Sequence, residues 1–328
     1  MSTKFPLISV IVPNYNHEKY LKQRLDSIFN QTYQNFEVII LDDCSTDNSR
    51  NILIEAAKNP KVTHLVFNEK NTKNTFTQWS KGISLAKGEY IWIAESDDFC
   101  DSDFIEMVIR PLLKNSNTTL SFCQSHRVNQ HGEITGNWIS HTDSLTPDFF
   151  SKDFVMDGNA FIEKFLIFKN VIPNASAVLF RKSIKLEKYL QIAYELRYCG
   201  DWIFYTKVIS NNKIAFITNS YNSFRYHDTS VIATAVQERS RIDIIDIDFN
   251  MRAEIIQFLR RKKISNERNV ILKNNQIVKS LKYEQSLLLI KNNQKLKGFT
   301  VLISVFDEFL KKYKFRKNLM IKLKRLIS

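Results

Sequence analysis

The chain has 328 residues, 44% hydrophobic and 25% charged, the composition of an ordinary soluble protein with room for one large α/β domain plus an appendage, or for two domains. No apolar run approaches the roughly 18 to 20 residues of a membrane-spanning helix, and no apolar core ahead of a cleavage site follows Met1, so a cytoplasmic protein is expected. The net charge of +13 is uneven: residues 291 to 328 hold eleven Lys or Arg against Asp307 and Glu308, leaving +9 there and +4 before it.

Along the first 125 residues short apolar runs alternate with helical patterns. Residues 7–12 (LISVIV), 36–41 (FEVIIL), 62–67 (VTHLVF), 90–94 and 119–123 read as strands covered on both faces, and 18–30, 46–58, 75–86 and 102–114 read as helices. That alternation predicts a mainly parallel sheet with right-handed crossovers, whose strand ends gather the ligand. Residues 13–16 (PNYN), Asp42-Asp43 and 95–98 (ESDD) should therefore meet at one rim. Further on, 161–169 and 201–210 look helical and 175–180 and 214–218 strand-like. After about 235 the chain turns polar, basic and helical, with Leu302, Phe306, Phe309, Tyr313, Met320, Leu323 and Ile327 nearly on one helix face, broken at Arg316.

Only seven glycines are present, and none composes a dinucleotide fingerprint, a P-loop or a nucleophile elbow. Cys44, Cys100, Cys123 and Cys199 make no C-x-x-C pair and read as free thiols. A phosphate-bearing ligand must then be held by a metal and cationic side chains. Three carboxylates in four residues at a strand end repel one another, and Mg²⁺ or Mn²⁺ carrying a nucleoside diphosphate would relieve them, with Glu95 and Asp97 as candidate ligands. The alternative is a helix N-terminus, capped by Asp98, Asp101, Ser102 and Asp103.

Residues 8–49, ISVIVPNYNHEKYLKQRLDSIFNQTYQNFEVIILDDCSTDNS, and 74–98, NTFTQWSKGISLAKGEYIWIAESDD, resemble the inverting family 2 glycosyltransferases of GT-A fold. The resemblance covers the first 125 residues well and extends loosely to about 230. It implies an α/β fold of GT-A type, a mixed, mainly parallel sheet flanked by helices, with a helical C-terminal extension. Residues 1–230 would form the catalytic domain, 1–125 its nucleotide-sugar half and 126–230 its acceptor half, with 231–328 a basic helical region.

By that resemblance Pro13 and Tyr15 line a base pocket, Asp42 accepts a hydrogen bond from the base and Asp43 lies on the ribose side. The alternative for the two aspartates is a strand-to-helix turn capped by Ser45 or Thr46. Glu95 stands where the family most often has Asp. One methylene longer, it reaches ribose or a metal-bound water, with Ser96 beside it on the donor side, and leaves Asp97 as the metal ligand. Asp98 orients the acceptor or caps the helix. Asp201, after Gly200 where the family usually has an acid, matches the general base, and is otherwise an N-cap. Arg181 falls near the acceptor side or is a solvated charge, and Trp202 could border the acceptor. Arg225 and His227, two apart in an extended segment, are expected on the diphosphate, with His227 on phosphate or metal; otherwise His227 is a surface residue.

The expected protein is thus a metal-dependent glycosyltransferase acting on a nucleotide-sugar donor, UDP-sugar favoured, and a glycan or lipid-linked acceptor in surface polysaccharide synthesis. A rival is a nucleotide-binding scaffold without turnover. Nucleic acid is not expected as a partner, because no recognised module is present and the aromatics do not interleave with the basic run. The basic tail fits peripheral contact with the inner face of a membrane, and its apolar stripe fits pairing into a homodimer equally.

Overall fold

The computed structural model of the chain describes residues 5–191, 193–196, 199–227 and 240–312. The apolar runs become strands β1 (Ile8–Asn14), β2 (Phe36–Asp42), β3 (Val62–Phe67) and β4 (Tyr90–Ile93), which lie parallel in the order β3-β2-β1-β4. Every side chain of β1, β2 and β4 is buried, because helices α1 (Glu18–Phe29), α2 (Ser49–Ala56), α3 (Thr75–Leu85) and α4 (Phe104–Lys114) flank the sheet. Gly82 of α3 permits a close approach: an added Cβ would stand 2.4 Å from Ile11 Cγ2 of β1.

Beyond β4 the sheet turns mixed. It continues through β6 (Thr118–Val128) and β10 (Lys213–Arg225), parallel to each other, to β5 (Phe99–Cys100), which runs antiparallel to β10; β9 (Val178–Arg181) is inserted antiparallel between β4 and β6. β7 (Ile134–Asn137) pairs with β6, and β8 (Phe154–Asp157) with β10, both antiparallel. The mainly parallel sheet flanked by helices agrees with the expected architecture. β6 and β10 outrun the apolar stretches that announced them because their later halves carry polar residues paired through the long parallel ladder.

Short helices α5 (Ile139–Thr142), α6 (Gly158–Phe161), α7 (Leu186–Leu190) and α8 (Ala193–Leu196) precede α9 (Gly200–Ile209). The expected domain boundary near 230 falls among residues 228–239, outside the described ones. On its far side α10 (Arg241–Lys262) and α11 (Glu267–Lys291) contribute Met251, Ile255, Leu259 and Val270 to the same apolar core as Phe180 and Phe204. The single C-terminal helix expected from the 302–327 stripe is not continuous. Val305, with φ −131°, separates α12 (Lys295–Ser304) from α13 (Phe306–Lys312); Tyr313 and the later stripe positions lie outside the described residues.

Candidate active site

Parallel pairing of β1 with β2 and β4 brings three loops to one edge of the sheet. Asn14 stands beside Asp42 and Ile11 beside Ile93, so PNYN, Asp42-Asp43 and ESDD share a rim. Pro13 is buried, whereas Tyr15 is 44% exposed and its ring is available at the surface. Asp42 closes the turn: Oδ1 accepts from Asn14 Nδ2 (2.8 Å) and Ser45 Oγ (2.6 Å), and Oδ2 from Ser45 N (3.0 Å). Asp43 organises the loop before α3, accepting from Asn68 Nδ2, the Thr72 amide and hydroxyl, and Gln78 Nε2. Both aspartates thus do turn and loop work at the rim.

The acidic turn after β4 is compensated largely from within the protein. Arg24, fully buried, donates Nε to the Glu95 carbonyl (2.8 Å) and lies over the Trp92 ring. Burial, reinforced by the charge of Asp97, pushes Glu95 up to about 8, and its Oε1 accepts from Trp79 Nε1 (2.8 Å). Burial likewise pushes Asp98 up to about 7; its Oδ1 accepts the Arg225 amide (2.9 Å). Asp97 is the exception. Burial works against its charge, but the hydrogen bond from His227 is the first of the contributions that hold the carboxyl below its usual range. Of the three carboxyls, Asp97 is therefore the one that holds its negative charge most firmly.

His227 Nε2 lies 3.0 Å from Asp97 Oδ2, and His17 Nδ1 lies 2.8 Å from Ser96 Oγ, giving buried Ser96 a partner just ahead of α1. One ligand atom each from His17, Asp97 and His227 can lie within 4.8 Å of one another. Burial lowers the His17 pKa despite the nearby Asp97 charge, which favours the neutral imidazole that binds metals. Two imidazole nitrogens and one carboxylate oxygen suit a divalent first-row cation. Geometry, rather than charge repulsion, makes the case for an ion here.

Asp201 opens α9. Its Oδ2 accepts from Asn170 Nδ2 (3.0 Å) and its Oδ1 from the Trp202 amide (2.8 Å), while burial pushes its pKa up to about 6. Phe204, one turn on in α9, stands 6.1 Å ring to ring from Trp79, whose Nε1 binds Glu95, so α9 packs against the side chain that holds the acidic turn. Gly200 sits where a Cβ would meet the Phe76 ring at 2.5 Å, so this backbone leaves no room for a larger residue beside Asp201. Trp202, half-buried, donates Nε1 to the Leu166 carbonyl (2.7 Å).

Two arginines lie elsewhere than expected. Arg181 ends β9, and because β9 runs antiparallel to β4 it pairs with Tyr90, at the opposite end of β4 from the acidic turn; it covers the Tyr90 ring and donates to the Leu112 carbonyl. Arg225 is at the rim but buried, donating to the carbonyls of Asp97 (2.7 Å), Asn129 (3.1 Å) and Gln130 (3.0 Å) and to Gln23 Oε1 (2.6 Å). It clamps the acidic turn to the neighbouring loop instead of presenting its guanidinium to solvent.

Sequence reasoning missed His17, Arg24, Trp79 and Asn170. A signal existed for His17 alone, which directly follows the strand-end PNYN; the others acquire their partners 71, 16 and 31 residues away.

Residues 9–168 match the family model described as Glycosyl transferase family 2. The chain is 32% identical over 151 residues to the Bacillus subtilis protein named putative teichuronic acid biosynthesis glycosyltransferase TuaG, covering 46% of this chain and 59% of that protein. It is 33% identical over 196 residues to an uncharacterized glycosyltransferase of Haemophilus influenzae, covering 58% of this chain and 68% of that one. The S. aureus TarS 1–349 structure in complex with UDP-GlcNAc superposes with a TM-score of 0.59 at 18% identity over 92% of each chain, a likeness of fold.

Proposed function

Because the chain belongs to glycosyl transferase family 2, we propose that it moves a sugar, with inversion, from a nucleoside diphosphate donor to an acceptor hydroxyl. The carrying observation is the meeting of Tyr15, Asp97, His227 and His17 at one rim, with Asp201 at the start of α9, the helix that packs through Phe204 on Trp79, the partner of Glu95. Exposed Tyr15 stacks on the base, and Asp42 offers it the remaining lone pair of Oδ2. Asp97, His227 and His17 would hold Mn²⁺ in preference to Mg²⁺, since imidazole favours the first-row ion; when bound, it neutralises the departing diphosphate. Asp201 takes the acceptor proton as the acceptor oxygen bonds to C1 and the bond from C1 to the diphosphate oxygen breaks with its electron pair. The Asn170 and Trp202 donors hold that carboxylate in place.

Residues 1–230 form the catalytic unit in this reading, with the nucleotide half to about 125 and the acceptor half beyond it. The acceptor is a glycan or a lipid-linked glycan in surface polysaccharide synthesis, a reading supported by the name of the B. subtilis relative. UDP-sugar is the donor we favour.

The test is release of nucleotide from a panel of UDP-, GDP-, dTDP- and CMP-sugars with Mn²⁺ or Mg²⁺, beside Asp97→Ala and Asp201→Ala. Metal-dependent release from one donor, lost in Asp97→Ala, supports the reading and names the donor. Metal-dependent nucleotide binding without release, even after lipid extract is added as acceptor, replaces it with a nucleotide-binding scaffold.

A further inference from the structure

α12 packs on α11 through its glycine: a Cβ on buried Gly298 would stand 2.5 Å from Ile290 Cγ1 and 2.8 Å from the Ser286 carbonyl. Leu296, Phe299 and Ile303 occupy the opposite side of α12, spaced i, i+3 and i+7, and are 87%, 51% and 73% exposed. Phe306, 52% exposed, follows at the start of α13. On the helical wheel Lys295 and Lys297 flank Leu296, each about 100° away, so exposed ammonium groups border the apolar stripe on both sides. The whole 291–328 region carries +9.

We propose that α12 is an interfacial helix that lies in the surface of an anionic lipid bilayer, with Leu296, Phe299 and Ile303 among the acyl chains and Lys295 and Lys297 against the head groups. An apolar stripe edged by lysines is what such a surface binds, since long cationic side chains lie along the apolar layer while their charges reach the phosphates. Charge decides between the two candidate occupants. An anionic leaflet attracts Lys295 and Lys297, whereas a second copy docked on the same face brings its own two lysines against them. The inference deepens the reading of a lipid-linked acceptor, but its test does not depend on transfer activity.

The experiment is co-sedimentation of the full chain with vesicles of phosphatidylcholine alone and of phosphatidylcholine mixed with phosphatidylglycerol. The expected result is binding to the mixed vesicles and about tenfold or greater weakening in the Leu296→Glu, Ile303→Glu double variant, with thermal midpoint and soluble-donor hydrolysis unchanged. The milder Leu296→Asn, Ile303→Asn pair serves if the first variant misfolds. Absence of parent binding overturns the proposal. Equal binding by parent and variant also overturns it, assigning the attraction to the lysines and arginines alone. A parent dimer by light scattering that the substitutions make monomeric, without vesicle binding, gives the face to a second copy.

Discussion

His227 Nε2 lies 3.0 Å from Oδ2 of Asp97, joining residues 130 apart across the ends of β10 and β4. With His17 at the start of α1, the pair forms a donor set drawn from three separate segments. Calorimetry should show Mn²⁺ binding by the parent chain in the presence of nucleotide, no binding by Asp97→Ala, and about tenfold weaker binding by His17→Ala. Unaltered affinity in His17→Ala would reduce its role to holding Ser96.

Asp201 should set an acidic limb in the pH dependence of transfer. Burial pushes it up to about 6, so the carboxylate that accepts the proton is lost as pH falls through that value. Asp201→Asn should lower the rate about 10²–10⁴-fold. The Asn170 hydrogen bond favours the charged form, so Asn170→Ala should move the limb to higher pH, a shift that a merely structural loss does not produce.

Gly200→Ala should destabilise the protein by about 1–3 kcal/mol, seen as a lower thermal midpoint, because the new methyl meets Phe76 at 2.5 Å and Ala193 Cβ at 2.7 Å. An unchanged midpoint would mean that α9 shifts freely, and an acid would then be acceptable beside Asp201.

Arg225→Lys should cost about 2–4 kcal/mol in chemical denaturation, since an ammonium cannot reach three carbonyls and the Gln23 amide at once, and the orphaned acceptors stay buried. Full stability with weakened nucleotide binding would instead restore the diphosphate role read from the sequence.

The strand-end positions of Tyr15, Asp43 and Asp97 were legible before any coordinates, because continuous apolar runs announce buried parallel strands and parallel strands put their ends on one edge. Arg181 was misplaced for a related reason. Its apolar strand reads the same in either direction, and only its pairing with β4 shows that it runs antiparallel and carries the arginine to the far edge. Arg225 looked like a free cation two residues from a histidine, although all its named acceptors come from other segments.

Local pattern, then, determined the strands, the order of the rim loops and the basic charge of the C-terminal region, since these depend on side-chain periodicity and composition along the chain. Tertiary structure alone decided which carboxyls stay charged. Asp97, Glu95 and Asp98 lie within four residues of sequence, yet the hydrogen bond from His227 lowers Asp97 while burial raises the other two. That outcome depends on desolvation and on a hydrogen-bond partner 130 residues away, which no local pattern records.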